Sequence, residues 1–130
     1  MTADDLTAAL RACAAGLYPL EAGTSLLIAN GTFLHRDDFT SRSITARTSI
    51  SDGTTLMAAI DRDAAIAALH ADELPCSGGE RRLLKLSSSL SGGIPVDLRD
   101  AVTGLDDGNI ARLVTAILHA SGKRPENSKY

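Results

Sequence analysis

The chain has 130 residues, with 13 Lys+Arg against 16 Asp+Glu and a formal net charge of −3. That length fits one domain, and the 44% hydrophobic and 22% charged residues exclude wholesale disorder, while the mild acidity excludes a surface built throughout to neutralise phosphate. Twenty Ala and 18 Leu against three Val predict a mainly α fold, a compact bundle of about five to seven helices.

The first helix is marked by Thr2 as its cap and Asp5 three residues later in capping-box fashion. Leu6, Ala9, Leu10, Cys13 and Leu17 recur at helical spacing, which predicts one buried stripe and places Cys13 in the core. Pro19 opens a second helix running to Ala29, and Asn30-Gly31 stops it. A short third helix is expected from Arg36 to Ser43, with Phe39 as its main buried contact.

Nine of the sixteen residues from Thr40 to Thr55 are Ser or Thr, which disfavour helix interiors. Ile44, Ala46, Thr48 and Ile50 alternate with polar residues ahead of Asp52-Gly53. This predicts a small β-hairpin with arms at 44–51 and 54–60 around a two-residue turn, and a Ser/Thr-rich linker is the alternative.

Helical patterning then returns. Asp61 caps a segment carrying Ala65, Ile66 and Leu69 that Pro75 stops from extending much past Leu74. Ser77-Gly78-Gly79-Glu80 is a second capping box, opening a helix with Leu83, Leu84, Leu86 and Leu90 that ends at Gly92-Gly93. Asp97 begins a short helix with Leu98, Ala101 and Val102. Asp106 or Asp107 begins the last, with Ile110, Leu113, Val114, Ile117 and Leu118 on its buried face. The expected domain spans 1–122, with a flexible tail at 123–130.

No catalytic constellation emerges from these elements. The Ser-Gly-Gly core lacks any accompanying phosphate-binding loop, so nucleotide hydrolysis is rejected. The three histidines, His35, His70 and His119, have no His or Cys partner at i+3 or i+4, and neither a metal nor a cofactor is expected. The candidate ligand site is the helix start itself: Ser77, Gly78 and Gly79 supply amides, and Arg81 and Arg82 supply charge to an anion. Cys76 precedes it, where the helix dipole and Arg81 would favour a thiolate, but a buried or half-buried structural thiol is the expected reading. Arg81, Arg82 and Lys85 form the one cationic cluster, which leaves at most a weak nucleic-acid contact.

Leu74-Pro75-Cys76-Ser77-Gly78-Gly79-Glu80, then Gly93-Ile94-Pro95-Val96-Asp97-Leu98-Arg99-Asp100, then Gly104-Leu105-Asp106, resemble a group of short uncharacterised proteins from high-GC bacteria. The resemblance covers roughly 57–122 and implies that this half is one coherent unit, with no activity attached to it.

No apolar run approaches the roughly 18–20 residues of a membrane span. Residues 1–30 have no basic region leading into an apolar stretch, so no signal peptide is expected, and Cys13 and Cys76 read as reduced cytoplasmic thiols. The functional expectation is a small cytoplasmic binding or adaptor protein acting through helix-mediated contact with a protein partner or a second copy. The first alternative is an anion- or small-ligand-binding protein, or an enzyme, using Cys76–Lys85.

Overall fold

The computed structural model describes residues 2–49 and 51–123. It is mainly α. In chain order it runs α1 (Ala3–Ala14), α2 (Tyr18–Asn30), a 3-10 turn (Phe33–His35), α3 (Asp37–Ser43), β1 (Ile44–Thr48), β2 (Leu56–Ile60), α4 (Arg62–His70), α5 (Gly78–Gly92), α6 (Leu98–Val102) and α7 (Asp107–Ala120). Among the described residues that makes seven α-helices and one hairpin.

The helix boundaries follow local chemistry. Thr2 and Asp5 close a capping box on α1, and Ser77 and Glu80 close another on α5. Asp61, Asp97 and Asp106 each accept from the amide three residues on and so cap α4, α6 and α7. Gly31 and Gly93 take the left-handed conformation, φ +77° and +71°, that ends α2 and α5. Helix α4 stops at His70, four residues before Leu74, where Asp72 turns the chain at φ +58°.

Helices α2 and α5 form the centre, each packing against two groups of side chains. On one side Leu27 and Leu84 join Leu6, Leu10, Phe33, Phe39 and Leu69. On the other, Ala22, Leu26, Leu83 and Leu86 meet Ala101, Leu113 and Ala116. A helix with apolar residues on opposite sides must be covered on both, and here α1 with the hairpin lies on one side and α7 on the other. At the α2–α5 crossing Gly23 lies against Ser87 and Ser91.

The hairpin is antiparallel, pairing Ile44 with Ile60 and Thr48 with Leu56. The connection differs from the expected two-residue turn. Ser49 N–H donates to Thr55 O at 2.7 Å, leaving a longer loop in which Gly53 takes positive φ while Asp52 does not. The reason is Asp52, whose carboxylate accepts from the amides of Thr54 at 2.9 Å and Thr55 at 2.8 Å and from the Thr55 hydroxyl. Those bonds favour a side-chain-closed turn over a type I′ turn. The expected arm position Ile50 and the expected tail from 124 onward lie outside the described residues.

The same bonds hold the Asp52 carboxyl down at about 2, against an ordinary value of 3.8. A depressed folded value contributes order that is present above the unfolded pKa and is lost as pH falls through the folded one. Loop order at Thr54 and Thr55 is therefore expected to fade from pH 4 to about 2, and Asp52→Asn to loosen the loop at neutral pH. Amide exchange at those two residues checks both.

Several expected core positions are outside it. Cys13 is exposed: the buried row of α1 runs Leu6–Leu10–Ala14 in steps of four, slanting across the helix, and leaves the Cys13–Leu17 line in solvent. On α7 the buried positions are Asn109, Leu113 and Ala116, while Val114 is 39% and Ile117 49% exposed. In the five-residue α6 the buried side chain is Ala101, and Leu98 is exposed. Each helix carries more apolar residues than its neighbours cover.

Candidate functional site

The start of α5 is built by its cap. Ser77 N–H donates to Glu80 Oε1 at 2.8 Å, and Glu80 N–H donates to Ser77 Oγ at 3.2 Å. The Ser77 amide, together with the Ser77 hydroxyl, holds the Glu80 carboxyl below its ordinary value, so a negative charge stays beside the amides of Gly78 and Gly79. The arginines turn to different neighbours. Arg81 Nη1 donates to Leu69 O at the end of α4, and Arg82 Nε to Asp100 O in α6, both at 3.3 Å. Arg82 also folds back over Gly78, where an added Cβ would stand 3.0 Å from Nη1. Ser77, Gly78, Gly79, Arg81 and Arg82 are thus adjacent, with the two guanidiniums tied to backbone carbonyls of two different segments.

Lys85, one turn on, lines a separate cleft of about 140 Å³ with Ile66, His70, Asp97 and Asp100. The cationic cluster of Arg81, Arg82 and Lys85 is thereby shared among contacts to α4, α6 and this cleft.

Cys76 is half-buried. Burial pushes its thiol up, Glu80 adds to that, and Arg36 and Arg81 oppose it without prevailing. The thiol form is favoured, and the half-buried position is that of the expected structural thiol. His70 and His35 are exposed and line different clefts. Among the described residues no group of three or more His, Cys, Asp or Glu is placed to hold a metal ion.

Three polar side chains without a site signal in the sequence organise much of the structure. Arg36 forks onto Asp38 at 3.0 and 2.5 Å, donates to Pro75 O at 2.5 Å and lies 6.0 Å from the Phe33 ring centre. It pins the segment before α5 to α3. Arg62, at the start of α4, reaches Thr24 on α2 and Ser91 on α5. His119 Nε2 meets Glu21 Oε1 at 2.7 Å, joining α7 to α2 across 98 residues of chain. Only the Arg36–Asp38 spacing was visible locally.

The largest apolar surface feature of α7 is the flank carrying Ile110, half-buried, and Val114 and Ile117, both exposed. These stand at i, i+4 and i+7, the spacing by which one helix face presents anchors to another. No helix among the described residues is long and apolar enough to cross a membrane. No family model, curated protein or solved structure matches the chain.

Proposed function

We propose that the chain is a protein-binding module that acts by helix-mediated contact, and that its occupant is a second copy of itself. The observation that carries the reading is the row of half-buried Ile110 and exposed Val114 and Ile117 on α7. Leu113 and Ala116 already seat that helix on its own core, so the row is surplus to folding.

Charge supports a second copy in antiparallel pairing. Asp106 and Asp107 mark the start of α7, His119 lies in its last turn, and Lys123 follows its end. With a two-fold axis at Val114, Asp107 of one copy comes near Ser121 and Lys123 of the other, and the helix dipoles oppose. The reading includes a cytoplasmic location, supported by the unpaired thiols of Cys13 and Cys76.

Sedimentation over a wide concentration range tests it. Wild-type protein is expected to pass from monomer to dimer as concentration rises. Val114→Asp with Ile117→Asp is expected to stay monomeric with unchanged helix content, since both side chains are solvent-facing in the monomer. A wild-type chain that is monomeric throughout would overturn the proposal.

A further inference from the structure

Two arginines reach adjacent hydroxyls on α2. Arg11 Nη1, from α1, donates to Ser25 Oγ at 3.0 Å, and Arg62 Nη2, from α4, donates to Thr24 Oγ1 at 3.3 Å. A hydroxyl oxygen that accepts from a guanidinium keeps its own proton to give. Thr24 and Ser25 both line an open pocket of about 240 Å³ with Arg11, Glu21 and His119. Arg11, Ser25 and His119 carry that space on into a groove of about 360 Å³ walled by Leu26, Ala29 and Ala111 and reaching Arg112.

The trough is rich in donors. Its one carboxylate, Glu21, is kept ionised by the Gly16 amide, which donates to Oε2 at 2.8 Å, and by His119 at Oε1, so an anion would sit on the Arg11 side, away from it. Arg11, Arg62 and Arg112 have no carboxylate within 4.0 Å among the described residues. Arg62 is half-buried, and that burial pushes its guanidinium down. A half-buried cation without a counter-ion is disfavoured, and an anion held by Thr24 would lie on the far side of the hydroxyl that Arg62 bonds. The space beside Thr24 equals about eight waters at roughly 30 Å³ each, which suits a phosphate or a short carboxylate.

We infer that the trough between α1, α2 and α7 binds a small oxyanion, a carboxylate or a phosphate ester. Arg11, Thr24 and Ser25 hold its headgroup, and its apolar body lies along Leu26, Ala29 and Ala111 toward Arg112. This site is separate from the exposed row of α7.

The test is titration of the ¹⁵N-labelled full chain with sodium butanoate and with sodium phosphate, at ionic strength held constant with chloride. Saturable shifts are expected at the Thr24 and Ser25 amides, and Arg11→Gln or Ser25→Ala is expected to weaken binding about tenfold by removing a charge-assisted donor or its hydroxyl. Arg99→Gln, on α6, is expected to leave it unchanged. Saturation by butanoate assigns a carboxylate headgroup, and saturation by phosphate alone assigns a phosphate. No saturable shift with either anion, or binding undiminished in both trough variants, would overturn the site.

Discussion

Gly23→Ala is expected to destabilise the protein by about 3 kcal/mol, the upper part of the usual range for overpacking a core. The sign runs against local propensity, since Gly to Ala inside a helix ordinarily gains roughly 0.5–1 kcal/mol. Tertiary contact reverses it. A Cβ on Gly23 would stand 2.5 Å from Ser91 Cβ and 2.6 Å from the Ser87 carbonyl oxygen. The Ser87 oxygen is backbone and already accepts from Ser91 Oγ at 2.6 Å, so it cannot turn aside. The two central helices would have to separate, loosening both groups of core side chains at once. Denaturant midpoints check this, and Ser91→Gly in the same chain is expected to restore only part, because the carbonyl contact remains. A Gly23→Ala protein as stable as wild type would show that α2 and α5 do not cross this closely.

Phe39→Ala is expected to cost about 4 kcal/mol, in the range for truncating a fully buried aromatic. The ring is fully buried, its centre 5.1 Å from that of Phe33, and these are the chain's two phenylalanines. Helix α3 has seven residues, too few to persist without an anchor. Removing the ring leaves a cavity and also frees α3 from the 3-10 turn beneath it. Phe39→Leu keeps most of the volume and is expected to cost less than about 1.5 kcal/mol. The guanidinium chloride midpoint should fall in that order at unchanged slope. Equal costs for the two variants would contradict the account.

The sequence made the helix starts legible because a cap is local: Thr2 with Asp5 and Ser77 with Glu80 are bonds across three residues. The mainly α class and the hairpin were legible for the same kind of reason, in composition and alternation. Burial was harder to read. The spacing of Ile110, Val114 and Ile117 marks an apolar helix flank, but which flank is covered depends on where α2 and α5 lie. Gly23 reads as a weak point in a helix until Ser87 and Ser91 are seen against it. The loop at Asp52 followed side-chain bonding to Thr55, which an Asp-Gly pair does not announce.

The candidate site was legible as a helix start and illegible as a charge distribution. Arg81 and Arg82 are neighbours in sequence, and their partners, Leu69 O and Asp100 O, are 12 and 18 residues away on opposite sides of α5 in the chain. Arg11 and Ser25, or Arg62 and Thr24, are joined only by folding. Nothing in their spacing draws attention to them.

The central claim, that α7 pairs with α7 of a second copy, is tested most directly by cysteine cross-linking at the axis. Val114→Cys in a chain also carrying Cys13→Ser and Cys76→Ser places one thiol where the two helices cross, within disulfide reach of its mate. Mild oxidation is expected to yield a covalent dimer from Val114→Cys and not from Asp63→Cys, at an exposed position of α4, in the same background. A Val114→Cys chain that stays monomeric under oxidation, or one that cross-links no faster than the Asp63→Cys control, would contradict the account.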